Sequence, residues 1–297
     1  MEIHQLRYVV AVAQAGNFSR AAEQCHVSQP SLSQQILKLE GELGERLFER
    51  MKRVVKLTPH GEAFLRRAIQ ILHEVDAARR EAAEAKELLR GTLTIGALPT
   101  IAPYLLPETM AEFTKKFPGV EIVVHEDTTA RLLKHALAYE IDFALVSQPI
   151  NEERLSLRHL FVEELLLALP PTHPLTRKRN ISAGDIARER LIVMKEGHCL
   201  GDQVLHFCER NDWQPQISFR SAQLETIQAL VSAGLGLSLI PAMATRNGRR
   251  KMPEYRSLRS PKPQRKIVVV WPKQRAPSRC ANEFLRMLEA RFVKSRL

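Results

Sequence analysis

Residues 197–208 read GHCLGDQVLHFC and hold two of the four cysteines in a chain of 297 residues. Two thiols this close, beside His198 and His206, suit either redox cycling or soft-metal binding. Gly197 ends the strand-like run RLIVMK, and residues 202–208 have helical character, so Cys199 falls at or just before a helix N-terminus. There the dipole and free backbone N–H groups favour a thiolate, and His198 can donate a hydrogen bond or carry positive charge beside it. Such a thiol attacks a peroxide and becomes a sulfenic acid, which condenses with any second thiol in reach; Cys208 is the candidate.

The spacing adds a constraint. On a continuous helix, nine steps of ~100° put the two sulfurs on opposite faces, ~13 Å apart along the axis. A disulfide needs Cα atoms within ~7 Å, so the segment must unwind or loop for the bond to form. Two buried apolar thiols would leave the same trace in the sequence, and the residues alone leave both readings open. A metal held by His198, Cys199, His206 and Cys208 would also require a looped segment, because Cys199 and His206 lie ~10 Å apart on a helix. No metal and no cofactor is therefore expected.

These thiols need a scaffold, and length and composition bound it. The chain is long enough for two or three domains, and 44% of it is hydrophobic. Sparse cysteines, no leader-like N-terminus and no apolar run of membrane-spanning length make the cytoplasm the expected location, with no membrane contact. Net charge is +11, distributed unevenly: +2 over 1–90, −4 over 91–244 and +13 over 245–297. Charge alone assigns nucleic acid to the C-terminal end, whereas the motifs assign it to the N-terminal end. The cluster Arg246, Arg249, Arg250 and Lys251 is most simply a solvated loop.

Near the N-terminus, apolar residues at 6, 9, 10, 12 and 13 predict a helix. A second helix starts at Asn17 or Ser19 and ends near His26. A third is capped by Ser28, carries Pro30 in its first turn and runs to about Leu39. Leu32, Ile36, Leu39 and Leu43 form its apolar stripe. Gln29, Ser31, Ser33, Gln34 and Lys38 stand opposite, able to reach base edges. Arg50, Lys52, Arg53 and Lys56 follow with no acid among them, as a β-wing on phosphates requires. This is a winged helix-turn-helix pattern. From Pro59 to Leu89, positions 61, 64, 68, 71, 75, 78, 82, 85 and 89 repeat as a heptad seam suited to a twofold dimer. Beyond Gly91, strand-like and helical runs alternate, predicting two α/β lobes crossed near residues 162 and 265, with a cleft between them. There is no glycine-rich phosphate loop, nucleophile elbow or paired carboxylates, so no enzyme is expected.

NFSRAAEQCHVSQPSLSQQILKLEGELGERLFER and LTPHGEAFL resemble the DNA-binding head of the LysR-type transcriptional regulators. GHCLGDQVLHFC, with LPTIAPYLLP at 98–107 and HEDTTARLL at 125–133, resembles the peroxide-sensing branch of that family. The resemblance implies a winged helix-turn-helix over 1–58, a dimerisation helix over 59–90 and a periplasmic-binding-protein-like effector domain over 91–297. Within the effector domain, lobe I would be 91–162 with 265–297, and lobe II 163–264. It also implies Cys199 as the peroxide-reactive cysteine and Cys208 as its disulfide partner, with Thr100, Thr129 and His198 lining the pocket and Asp202 beside it. Gln29, Pro30, Ser31, Ser33, Gln34 and Lys38 would meet the major groove, and Arg50 and Arg53 would lie at the wing. The implied partners are double-stranded DNA at pseudo-palindromic sites, hydrogen peroxide, further copies in a homodimer and homotetramer, and RNA polymerase. The alternative within the family is a regulator of a metabolite bound between the lobes, its cysteines structural. One departure stands out: the branch commonly has a basic residue where this chain has Gly201. That loss of charge would slow oxidation or ease unwinding, and Arg265 or Lys266 could replace it.

Overall fold

The computed structural model describes residues 1–50, 55–84, 90–245 and 252–294, which divide into an N-terminal unit and a larger unit beginning at residue 90. The N-terminal unit opens with α1 (Ile3–Ala15), α2 (Phe18–Gln24) and α3 (Gln29–Leu43). Asn17 Oδ1 accepts from the Ser19 and Arg20 N–H groups, and Ser28 Oγ from the Ser31 N–H, so side chains start the second and third helices. The third runs one turn past the expected end, through Gly41, and stops at Gly44, which is left-handed at φ 71°. Leu32, Ile36 and Leu39 are fully buried against α1 and α2, but Leu43 is 39% exposed and lies outside the stripe expected of it. The buried Gln5 donates to Gln35 and ties α1 to α3.

A short antiparallel pair, β1 (Phe48–Arg50) and β2 (Val55–Leu57), forms the wing. Its base is fixed by Glu40, whose buried Oε1 accepts from the N–H groups of Leu47 (2.8 Å) and Phe48 (3.1 Å). Then α4 (Pro59–Glu84) begins under a Thr58 cap. Gly61 is required by close approach: a Cβ there would lie 2.0 Å from the Leu47 carbonyl oxygen. Of the heptad seam, Gly61 and Ala68 are buried, whereas Ile71 and Ala78 are exposed; Ala85 and Leu89 lie outside the described residues.

The larger unit alternates strands and helices: β3 (Gly91–Ala97), α5 (Ala102–Lys116), β4 (Val120–Glu126), α6 (Thr129–Leu137) and β5 (Phe143–Ser147). Next come β6 (Leu155–Leu169), α7 (Ala183–Ile186), β7 (Arg190–Met194), α8 (Cys199–Glu209), β8 (Gln216–Ser221) and α9 (Leu224–Ser232). The chain finishes with β9 (Ser238–Pro241), β10 (Glu254–Arg256), β11 (Gln264–Pro272) and α10 (Arg279–Lys294). Parallel pairing of β3 with β4 and β5 follows from their crossover helices. The unbroken apolar run LLLALP marks only the end of β6, which is one strand of 15 residues reaching back to Leu155. It pairs with β11 over its first part and with β9 and β10 over its last. Arg158, His159, Glu163 and Glu164 interrupt its apolar residues where the strand leaves one core for the next.

Two hydrophobic cores result. One gathers β3, β5, β11, α5 and α10, and the other β7, β9, α8, α9 and the end of β6. β6 and β11 run side by side between them, with Arg265 opposite Glu163 and Lys266 opposite Val162.

Candidate functional site

Cys199 is the first residue of α8, and His198 occupies the N-cap with extended backbone. Gly197 turns the chain out of β7 at φ 86°, a left-handed position that favours glycine. Helix α8 is pinned along one face: Leu200, Val204 and Cys208 are buried in the second core, where Cys208 has no exposed surface. Its opposite face begins with Cys199, which packs against the first core. The two thiols are free and belong to different cores, at opposite ends and on opposite faces of an intact helix. The geometry expected for a continuous helix is the one observed, and no bond can form without unwinding.

Three chain segments converge at Cys199. Thr129, first residue of α6, presents a buried hydroxyl to the thiol and has no other hydrogen-bond partner. Arg265 enters from β11 with its guanidinium fully buried. Its Nε donates to Glu163 Oε1 at 2.6 Å, Nη1 to Thr100 Oγ1 at 2.9 Å and Nη2 to the Thr100 carbonyl at 3.0 Å. Glu163 is held in turn by the Met243 N–H. Because a guanidinium only donates, Thr100 Oγ1 is the acceptor here and its own proton is free to be donated.

Burial pushes the Cys199 thiol up from its ordinary value, and Asp202 pushes the same way. The Thr129 hydroxyl, Arg265 and the Leu200 N–H pull it down without overcoming the burial. The resting group is therefore a thiol, not the thiolate expected from the helix N-terminus alone. Desolvation at a dry lobe contact outweighs the dipole and one neighbouring cation. The cation acting on the sulfur is Arg265, whereas His198 caps nothing with its ring. Burial also raises the Cys208 thiol, to about 12.

Thr100, Thr129 and Cys199 are thus brought together, with Asp202 exposed at their edge in the first turn of α8. The residue types did not point to Glu163, Met243, Gln203 or Ser147. Gln203 Nε2 donates to Ser147 Oγ (2.7 Å) and to the Gln148 carbonyl (2.8 Å), tying α8 to the end of β5. Only strand register could have exposed the Arg265–Glu163 pair. Gly201 is buried with its Cα side facing the Met194 carbonyl; a Cβ there would meet that oxygen at 2.8 Å. Its first consequence is therefore steric, since α8 lies closer to β7 than any larger residue permits. His198, Cys199, His206 and Cys208 are not gathered, and among the described residues no three potential ligands are.

In the N-terminal unit, Gln29, Pro30, Ser31, Gln34 and Lys38 form the exposed face of α3, with Ser33 partly covered. Arg50 lies on β1, while Lys52, Arg53 and the cluster at 246–251 fall outside the described residues.

Residues 3–62 match the bacterial regulatory helix-turn-helix proteins of the lysR family, and residues 86–293 match the LysR substrate binding domain. The "Hydrogen peroxide-inducible genes activator" of Pectobacterium carotovorum is 37% identical, covering 91% of this chain and 90% of its own. The "DNA-binding transcriptional dual regulator OxyR" of Escherichia coli K12 is also 37% identical, with coverages of 91% and 89%. Full-length OxyR C199D from Pseudomonas aeruginosa has a similar structure, with TM-score 0.80 and 33% identity over 98% of this chain and 94% of that one. An H2O2-bound cysteine mutant of Corynebacterium glutamicum OxyR has a TM-score of 0.65 at 30% identity, with coverages of 99% and 93%. With both of its parts matched and these relatives spanning nine-tenths of it, the chain belongs to the LysR family of bacterial transcriptional regulators.

Proposed function

We propose that this regulator senses hydrogen peroxide through Cys199, reports oxidation by a Cys199–Cys208 disulfide and controls antioxidant genes. The observation that carries the reading is the setting of Cys199, a thiol facing an otherwise unsatisfied Thr129 hydroxyl beside a buried guanidinium. Hydrogen peroxide is small enough to enter there, and the Thr100 and Thr129 hydroxyls would hold its oxygens, with His198 and Asp202 at the rim. The sulfur attacks one oxygen as the O–O bond breaks; the thiol proton passes to the departing oxygen, giving sulfenic acid and water. No free thiolate has to accumulate, because Arg265 and the first-turn N–H groups stabilise negative charge as it develops.

Cys208 then attacks the sulfenic sulfur, expelling a second water and leaving the disulfide. To reach it, α8 must unwind and withdraw Cys208, Val204 and Leu200 from the second core. Burial of each of the two aliphatic residues is worth about 1.5–3 kcal/mol, so the bond forces a real rearrangement of lobe II. Such a change would be read out at the DNA.

The DNA-facing surface is α3 in the major groove, with Gln29, Pro30, Ser31, Ser33, Gln34 and Lys38 toward the bases and Arg50 and Arg53 toward phosphates. The exposed Ile71 and Ala78 of α4 fit a helix awaiting a partner helix, giving a dimer on a pseudo-palindromic site that pairs into a tetramer and contacts RNA polymerase. The divisions 1–58, 59–90 and 91–297, with lobes exchanging at 162 and 265, and a cytoplasmic location belong to the same reading. Mass spectrometry after stoichiometric peroxide is the test. A Cys199–Cys208 disulfide is expected, absent in Cys199→Ser; a Cys199→Ser protein that still changes its DNA binding with peroxide would overturn the proposal.

A further inference from the structure

The side-chain charges acting on the Cys199 sulfur are those of Arg265 and Asp202, and Glu163 acts on Arg265. Glu163 on β6 and Arg265 on β11 stand opposite each other on paired strands, and both are buried. Glu163 Oε1 accepts from Arg265 Nε at 2.6 Å, and Oε2 accepts from the Met243 N–H at 3.2 Å, so both carboxylate oxygens are engaged. Met243 also brings its thioether sulfur within 3.8 Å of Arg265 Nη2.

An arginine side chain is long and rich in rotamers, so its guanidinium keeps one place only where its N–H fork is met by fixed acceptors. Thr100 meets the two Nη groups, through its hydroxyl at 2.9 Å and its carbonyl at 3.0 Å. Those contacts alone would let the group swing about its Nη ends, and the Nε bond to Glu163 fixes the third corner. Placement matters at the thiol in two ways. The Nη1 bond leaves the Thr100 hydroxyl proton free for a ligand oxygen. The field of the guanidinium at the sulfur weakens with distance. The negative charge of Glu163 opposes that field, so any help it gives must come from where its oxygen lies.

We propose that Glu163 is a positioning residue for oxidation of Cys199, holding the Arg265 guanidinium against Thr100 and toward the sulfur by geometry and not by charge. The placement of the cation stands on the contacts themselves, and only the effect on oxidation rests on the peroxide reading above.

Two variants of the full-length Cys208→Ser parent separate position from charge. Glu163→Asp keeps the charge and withdraws the oxygen by one methylene; Glu163→Gln keeps the oxygen and removes the charge. Both should fold, since Asp retains a counter-charge and Gln still leaves the guanidinium its three oxygen acceptors, and circular dichroism melts check this. Dimedone capture of the Cys199 sulfenic acid after peroxide, followed by mass spectrometry, gives the oxidation rate. It should fall about threefold or more in Glu163→Asp and be no slower than the parent in Glu163→Gln. The midpoint of Cys199 alkylation by iodoacetamide against pH should rise by about half a unit or more in Glu163→Asp and not rise in Glu163→Gln. A merely structural role would lower Tm without moving that midpoint. Glu163→Asp matching the parent in either quantity, or Glu163→Gln as slow as Glu163→Asp, would overturn the positioning role. If one variant does not fold, the other against the parent still decides. A parent that yields no sulfenic acid would remove the peroxide reading instead, leaving the alkylation midpoints to decide the placement.

Discussion

Arg265 has two separable roles, and the double variant Arg265→Met/Glu163→Leu separates them. In Arg265→Met alone, Glu163 keeps its charge at 8% exposure with only the Met243 N–H to meet it, and the Thr100 carbonyl loses its donor. Breaking a buried pair from one side costs about 3–5 kcal/mol. For a unit of about 200 residues, each kcal/mol moves Tm by roughly 2–4 °C, so the single variant should melt about 6–20 °C lower. Removing Glu163 as well takes away the stranded charge but not the unmet Thr100 carbonyl, so the double variant should recover about 2 kcal/mol of that loss. Reactivity should not recover with it. The charge acting on Cys199 is that of Arg265, and both variants lack it. A loss of about 1.4 kcal/mol in the barrier to sulfur oxidation would slow the first step about tenfold in both. Circular dichroism melts give the first quantity, and the rate of Cys199 alkylation protection after peroxide gives the second. A double variant no more stable than the single one would refute the buried-pair argument. A double variant oxidised as fast as the parent would refute the electrostatic one.

Gly201→Ala should destabilise the effector unit by about 1–3 kcal/mol through the clash with the Met194 carbonyl, measured by urea denaturation. The same variant should form the disulfide faster, because α8 is pushed off β7; an equal or slower reaction would refute the packing argument. Glu40→Ala leaves the buried Leu47 and Phe48 N–H groups unpaired and should cost about 2–4 kcal/mol, with DNA affinity lost through the wing before the helices melt. The raised pKa values of Cys199 and Cys208 mean that the folded state holds both protons more tightly than the unfolded chain. Their contribution to stability is therefore complete below pH ~8.5 and is lost as pH rises toward about 12. Melts across pH 8–11 should show a steeper decline in the parent than in Cys208→Ala, and parallel curves would contradict this.

Much of the N-terminal unit was legible from the sequence, because its signals are local. Asn17 and Ser28 cap the helices they precede, Pro30 sits in a first turn, and Leu32, Ile36 and Leu39 recur at helical spacing. The end of α3 extends past Leu39 although Gly41 disfavours helix there, because the buried Glu40 carboxylate is tied to the wing through the Leu47 and Phe48 N–H groups. β6 is harder to read in full, because Arg158, His159, Glu163 and Glu164 interrupt its apolar residues and only the run at its end marks a strand.

For the redox segment, the sequence alone determined the separation of the thiols. Nine residues on any helix give opposite faces, and that is a property of covalent spacing. Their electrostatics were decided only by tertiary structure. The sequence left Arg265 and Lys266 as equal candidates for the missing cation, and the pairing of β6 with β11 turns Arg265 inward onto Thr100 and Glu163 while Lys266 is exposed. The expected thiolate likewise gave way to a thiol, because desolvation depends on every atom the fold packs around a group. A dipole can be read from one helix, but burial belongs to the whole set of contacts, and those come from residues up to 165 positions apart.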